Sequence, residues 1–387
     1  MHIESIIEKT VPFASAIRNS VVDFSQMTGS VVAIVSDVVR GGKPLVGYGF
    51  NSIGRYAVSS LLRDRFIPRI MNAPQGSLLD EAGTNLDPFK INACLMRNEK
   101  PGGHGERAHA VGCIDMAVWD LVSKIEEKPL WKILSERFNN GKADEKVFTY
   151  AAGGYYYPDK GIQGLKDELS GYLEQGFTCV KIKIGGASLS EDITRLEAAI
   201  SVVGDVSKVA VDANGRFDMG TALEYGKALS DFNPMWYEEP GDPLDFRLNA
   251  VLCEQYSGAV ATGENLFSLQ DVRNLLRYGG MRPDRDFLQM DPPLGYGLTE
   301  YLAMLNLLRD SGWSPRRCIP HGGNQLSLNL AAGLQMFGNE CYPGVFQPFG
   351  GYADNVPFEK SYVRLPDIPG VGFEAKSNLY AVLKELV

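Results

Sequence analysis

Histidine is scarce in this 387-residue chain: His2, His104, His109 and His321 are all it has. A zinc hydrolase barrel needs several imidazole ligands, commonly opening with H-x-H on its first strand. The first barrel-strand candidate here, VFTYAAGGYYY, holds none, so that class is excluded. Cysteine is scattered rather than paired. Cys94, Cys113, Cys179, Cys253, Cys318 and Cys341 contain no C-x-x-C, which reads as reduced, mostly buried thiols rather than a disulfide frame or zinc knuckle. No long apolar run exists either. The richest stretch, Val31 to Val39, includes Ser36 and Asp37 and is too short to span a bilayer. Nor is there a cluster of basic residues: 38 Lys and Arg stand against 47 Asp and Glu, a net charge of −9. That balance excludes nucleic acid and an anionic membrane surface as partners. An anionic substrate would need something local to overcome this field, such as a bound cation. The opening residues, MHIESIIEKTV, carry an acidic side chain where a signal peptide has basic ones, and no long apolar core. The expectation is a soluble, cytoplasmic protein.

What remains is an ordinary globular composition, 44% hydrophobic and 22% charged, which can bury a large core unaided. At about 150 residues per domain the length allows two or three, although a (β/α) barrel uses roughly 250 as one. Three zones emerge. Up to about Gly49, apolar alternation (VVAIVSDVV, PLVGYGF) predicts an antiparallel sheet with turns at Gly29 and at Gly41-Gly42. From about Tyr56 to Glu127 the pattern is helical, with Val111, Ile114, Val118 and Leu121 on one face; the glycine-rich Lys100–Gly105 stretch before them is a turn. From Val147, short apolar runs alternate with amphipathic helices. The runs are VFTYAAGG, TCVKIKIGG, KVAVDAN, MWYEEP, AVATGEN, FLQMDPP, RCIPHGG and VFQPFGG. One intervening helix puts Ile193, Leu196, Ile200 and Val203 on a face, with Ser190 as its expected N-cap. Eight strands separated mostly by helices imply a parallel sheet with right-handed crossovers. Polar residues crowd the C-terminal ends of many successive strands, which favours a barrel over an open sheet with one switch point.

Those strand ends read Lys181 and Lys183, Asp212, Glu238, Glu264, Asp291 and His321. The three middle carboxylates recur 26 residues apart, about one βα unit, and so arise from equivalent places on consecutive strands. A lone strand-end carboxylate is usually a solvated loop residue or a helix N-cap. Three at matched spacing converge and repel unless a hard cation lies between them, and oxygen ligands select Mg²⁺. Glu239 is the alternative to Glu238; neighbouring strand residues face opposite ways, so only one of the two can serve. Lys181 and Lys183 project to the same side of their strand. Two ammonium groups on an inward face depress each other's pKa and make a usable base. The other reading of K-x-K is a pair snorkelling on an outer face, but here Val180, Ile182 and Ile184 form the apolar face. Asp291 and His321 end adjacent strands, so the carboxylate orients the imidazole and raises its proton affinity.

The K-x-K pair, the three carboxylates on the next three strands and the Asp/His pair resemble the mandelate racemase group of the enolase superfamily. Within it, RNSVVDF, GYGFNSIGRY, EKPGGHGER, AAGGYYYP, YEEPGDPLD, LLRYGGMRPDRD and IPHGGNQLSLN resemble the D-tartrate dehydratases over nearly the whole chain. The resemblance implies an α/β fold: a (β/α)7β TIM-like barrel over residues 140–350, with an α+β capping domain built from 1–130 and about 352–387. It implies one Mg²⁺ per subunit, with Mn²⁺ as an alternative, held by Asp212, Glu238 and Glu264. Lys183 would be the base and His321, paired with Asp291, the acid. Lys181 would serve catalysis and substrate binding together, and Asn19, Lys100, Tyr155 and Glu340 would contact substrate. The implied partner is a small hydroxy-diacid or acid sugar, and the implied assembly a homo-oligomer.

The implied reaction removes the proton next to a carboxylate to give an enediolate that the metal stabilises, then expels the β-hydroxyl with acid assistance. With D-tartrate the product is oxaloacetate. A racemase or epimerase using Lys183 and His321 as two bases is the nearest alternative, followed by a dehydratase of another acid sugar. A barrel that has lost activity and binds metabolites is a third; the intact set of ligands, base and acid argues against it. Three features depart from the family pattern: Ile53 in place of an asparagine, Asn324 in place of a second histidine, and the sequence QMDPPLGYG around Asp291.

Overall fold

The computed structural model describes residues 1–13, 15–157 and 160–387. Strands β1 (Ile3–Pro12), β2 (Thr28–Arg40) and β3 (Lys43–Phe50) form an antiparallel sheet in chain order. Gly41 and Gly42, both at positive φ, make the expected two-residue hairpin turn. Gly29 does not turn the chain. It lies inside β2 opposite Val11, where the Phe13 ring packs so closely that a Cβ would meet it at 3.1 Å.

Next come α1 (Ser59–Leu61) and α2 (Ile67–Met71), joined by a π-helical turn (Leu62–Phe66), then α3 (Pro88–Met96), α4 (Glu106–Ile125) and α5 (Leu130–Phe138). Helix α4 buries the predicted face, Val111, Ile114, Val118 and Leu121, against the sheet. It also buries the opposite face, including Met116 and Trp119, because barrel loops cover it. Its approach to β3 is close: a Cβ at Gly47 or Gly49 would collide with the Ala117 or Cys113 carbonyl.

The barrel follows. Strands β4 (Val147–Ala152), β5 (Val180–Lys183), β6 (Val209–Asp212), β7 (Tyr237–Glu238), β8 (Val260–Thr262) and β9 (Phe287–Leu288) are parallel neighbours in chain order. Helices α6 (Gly161–Glu174), α7 (Leu189–Val203), α8 (Met219–Ser230), α9 (Phe246–Gln255), α10 (Leu269–Tyr278), α11 (Leu298–Asp310) and α12 (Gln325–Gly333) alternate with the strands. RCIPHGG contributes only a bridge from Cys318 to Leu288, since Pro320 has no N–H to extend the ladder. The closing strand is not VFQPFGG, which folds as bends and turns around Pro348. It is β10 (Asn339–Cys341), paired in parallel with β4; its buried polar residues hid it from an apolar reading. The N-cap of α7 is Ser188, closing a capping box with Glu191, and Ser190 lies within the first turn.

The tail adds a hairpin, β11 (Phe358–Glu359) and β12 (Tyr362–Val363), that pairs with the start of β4, and then α13 (Ser377–Leu383). Val371 N donates to Asp120 Oδ1 at 2.8 Å, tying the tail to α4. The architecture is a (β/α)7β barrel with an α+β cap. All six cysteines are free thiols, five of them buried. Among the described residues, no helix is long and apolar enough to cross a membrane.

Candidate active site

Barrel geometry places the C-terminal ends of β5 to β10 around one mouth, and the polar side chains there meet. Lys181 and Lys183 both point inward, while Val180, Ile182 and Ile184 pack outward among the helices. Lys183 Nζ donates to Asp212 Oδ2 and sits 5.3 Å from the centre of the Tyr155 ring. Lys181 pairs with Glu238, with Glu340 Oε1 at 2.7 Å and with Asp212 Oδ2 at 3.4 Å. The expected mutual depression of the two lysines does not hold for Lys181. Burial lowers its proton affinity, but the charges of Glu238 and Glu340 outweigh burial and hold it well above the lysine range.

Glu238 lies deep in the barrel. Besides Lys181, its Oε2 accepts from Trp236 Nε1 at 2.7 Å and Gln289 Nε2 at 2.9 Å. Burial and the nearby Asp212 charge push its pKa up to about 7. Strand alternation does not separate it from Glu239 as expected, because β7 ends at Glu238 and Glu239 takes φ +38°. Glu239 returns to the mouth, where Asn265 Nδ2 donates to its Oε1 at 2.9 Å and to Glu264 Oε1 at 3.4 Å. Burial and the Glu264 charge raise its pKa well above the carboxylate range.

The Asp291–His321 pair lies across the mouth. His321 Nδ1 faces Asp291 Oδ2 at 2.8 Å, as the spacing implied, and Nε2 lies 3.1 Å from Glu264 Oε2. Tyr342 Oη is 3.2 Å from the same Nε2 and donates to Glu340 Oε2 at 2.7 Å. Burial works against protonation, yet the Glu264 charge and the Asp291 hydrogen bond raise the imidazole to about 10.

The expected substrate contacts divide. Tyr155, Lys181 and Glu340 are in the mouth. Asn19 lines an adjoining cavity of about 620 Å³ together with Tyr155, and its Oδ1 accepts from the backbone N–H groups of Val21 and Val22. Neighbouring Ser20 Oγ anchors this cap loop to the barrel through the Ala213 carbonyl, at 2.9 Å. Lys100 is not brought in. Its side chain is exposed, and Arg107 holds its backbone by donating to the Lys100 and Gly102 carbonyls. Ile53 is packed in the core, and Asn324 caps α12 by accepting from Ser327 N.

The predicted metal ligands are chemically suited to a hard cation. Asp212, Glu238, Glu264, Asp291 and Glu340 outnumber Lys181, Lys183 and His321, which leaves surplus negative charge in a buried mouth. Asn214 Oδ1, beside Asp212, is a further hard oxygen, buried with no hydrogen-bond partner. Among the described residues, no three His, Cys, Asp or Glu side chains converge as a ready cage. The reason is visible: Lys183, Lys181 and His321 each draw one of Asp212, Glu238 and Glu264 aside.

Sequence reasoning missed Tyr342, Trp236, Gln289, Asn265 and Ser52. Trp236 and Gln289 lay within quoted strand runs, two residues before Glu238 and Asp291, and inward alternation was the available signal. Tyr342 and Ser52 had none toward the acid pair, since His321 lies 21 residues from Tyr342 and Asp291 lies 239 from Ser52.

Comparison with known proteins follows the same lines. An arabinonate dehydratase from Saccharolobus solfataricus is 29% identical over 295 residues, 73% of this chain and 74% of its own. An L-talarate/galactarate dehydratase from Salmonella typhimurium is 29% identical over 307 residues, 78% of this chain and 70% of its own. The fold is shared with a racemase from Streptomyces coelicolor A3(2) with bound magnesium, at TM-score 0.79 and 23% identity over 99% of each chain. It is shared also with an L-talarate dehydratase from Polaromonas sp. JS666 complexed with Mg and L-glucarate, at TM-score 0.74 and 24% identity over 97% of this chain and 96% of that one. Residues 164–379, more than half of the sequence, match the enolase C-terminal domain-like family, and the chain belongs to it.

Proposed function

We propose that the protein is a Mg²⁺-dependent acid-sugar dehydratase, with D-tartrate as the expected substrate and oxaloacetate as its product. The observation that carries this reading is the opposition of two proton-handling groups across one buried mouth. Lys183 stands on Asp212 on one side; His321 stands on the other with Asp291 at Nδ1 and Glu264 at Nε2. Asp212, Glu238 and Glu264 would hold the ion. When bound, it would neutralise the negative charge that builds on the substrate carboxylate as the α-proton leaves.

Lys183 takes that proton, with the Tyr155 ring packed beside it. Asp291 fixes the tautomer of His321, so a proton on Nε2 is aimed into the mouth and is delivered to the departing β-hydroxyl. Lys181, Glu340 and Asn19 orient the substrate. Lys100 joins them only if its loop folds inward as the cap closes and excludes water. In this reading the cap, 1–130 with about 352–387, covers the 140–350 barrel of a cytoplasmic homo-oligomer whose partner is a small hydroxy-diacid or acid sugar. The Asp291 carboxylate at Nδ1 favours a protonated His321 as a proton donor, and so favours elimination over racemisation.

The test is a panel of diacids and sugar acids incubated with enzyme and Mg²⁺, read for keto acid and for inverted stereocentres. Keto acid from D-tartrate or a related acid sugar is the expected result. Inversion with no keto acid from any member would overturn the dehydratase in favour of the racemase. Since Ile53 offers no hydrogen bond, failure on D-tartrate alone would direct the search to acids lacking or inverting one hydroxyl.

A further inference from the structure

Ser52 of the cap touches the acid pair, and the reaction described above gives it no task. It follows β3 in a segment shaped by Asn51. Asn51 Oδ1 accepts from Ser30 N of β2 at 2.6 Å, and its Nδ2 donates to the carbonyls of Ser52 and Arg55 at 3.4 and 3.2 Å. So clamped, the segment points Ser52 Oγ into the barrel mouth, where it donates to Asp291 Oδ2 at 2.7 Å. The same oxygen faces His321 Nδ1 at 2.8 Å. Ser52 and Asp291 are 1% and 2% exposed, so both are shielded from bulk solvent. The approach is tight: a Cβ at Gly322 would stand 2.8 Å from both Ser52 Oγ and Asp291 Oδ2.

We propose that Ser52 is a positioning residue for the acid: its hydroxyl fixes the Asp291 carboxylate, and the carboxylate fixes the imidazole of His321. This rests on the reading of His321 as the acid. A carboxylate rotates easily about its last bond unless its oxygens are held. Among the described residues, Oδ1 of Asp291 accepts only a long bond, 3.2 Å, from Leu294 N. Ser52 supplies the short, charge-assisted one and shares its acceptor oxygen with the imidazole. The serine comes from the cap and its target from the barrel, so a docked cap completes the acid. The base is built from barrel residues alone, Lys183 with Asp212 and Tyr155. Loss of the serine hydroxyl therefore separates the two halves of the reaction.

Two measurements test this. Proton NMR of the full chain reads the imidazole without any substrate: the downfield Nδ1–H signal of His321, assigned by its absence in His321→Asn, should shift and broaden in Ser52→Ala. Kinetics in D₂O read the chemistry: Ser52→Ala should lose about tenfold or more in product formation while α-proton exchange continues at the wild-type rate. Ser52→Cys keeps the volume with a weaker donor and gives both readouts should the alanine variant fold poorly. An unmoved imidazole signal, or exchange and elimination falling together, would overturn the role of Ser52. A wild-type enzyme inert on every acid sugar would instead overturn the dehydratase reading, with the NMR result still deciding the positioning.

Discussion

Lys183 and His321 can be told apart because each has its own partners. In the proposed reaction Lys183→Met removes the group that takes the α-proton, so α-exchange in D₂O and product formation should both fall, by roughly 10²–10⁴-fold. In the same proposal His321→Asn removes only the proton donor to the leaving group. Product should fall by a similar factor while exchange persists, provided the Lys183 ammonium exchanges with solvent. Parallel loss of exchange in both variants would contradict the division of roles. Much of this site was legible in the sequence, because a charged residue ending an apolar run is unusual and the runs came in order. The adjacent strand ends of Asp291 and His321 imply a pair, and the two meet at 2.8 Å. What could not be read were partners brought in by tertiary approach. Ser52 lies 239 residues from Asp291, and Tyr342 reaches back 21 residues to His321. Nor could the pattern show that Lys181 would be so enclosed by carboxylates that its proton affinity rises.

At the scale of elements, period and punctuation carried the reading, and both failed where chemistry interrupted them. The final barrel strand contains Asn339 and Glu340, both buried, so it lacked the apolar signature that VFQPFGG displayed without forming a strand. Glycine at position 29 suggested a turn, but the space it leaves is filled by Phe13. The capping serine of α7 was misplaced by two residues, and its box predicts a measurable effect: Ser188→Ala should cost about 1 kcal/mol in urea unfolding with kinetics unchanged. Helix α4 adds a dependence on pH. His109 is buried and bonds the Leu294 carbonyl through Nδ1 at 2.6 Å, joining the cap to the loop after β9. Burial pushes its pKa down to about 4, from 6.5 in the unfolded chain. The unfolded chain therefore binds the proton more readily. This stabilisation is complete above pH 6.5 and is lost as pH falls through 4, amounting to about 3 kcal/mol at most. Unfolding free energy should fall more steeply over that window in the wild type than in His109→Gln; parallel curves would show that His109 contributes nothing to acid sensitivity.

For the molecule as a whole, the alternation of strands and helices made the barrel legible, whereas the tail hairpin on β4 joins residues too distant in sequence to be foreseen. Charge was legible only in part. The net of −9 showed that an anionic substrate needs a local cation, but not that lysines and an imidazole would hold the carboxylates in place. That arrangement predicts linkage between metal and fold. Carboxylates in excess over cations destabilise a buried mouth, and a divalent ion that binds the folded chain relieves the repulsion. Mg²⁺ at a hundred times its Kd should add about 2.7 kcal/mol of stability, seen as a saturable rise in Tm. NaCl at matched ionic strength should not reproduce it, because screening reaches buried charges poorly. Glu264→Gln deletes one negative charge and leaves Asp212 and Glu238 as the remaining acidic ligands of the proposed site. Its metal-free form should be no less stable than the wild type, while its Mg²⁺-dependent rise should shrink sharply. A full Mg²⁺ shift in Glu264→Gln would remove Glu264 from the metal site, and no shift in the wild type would remove the site itself.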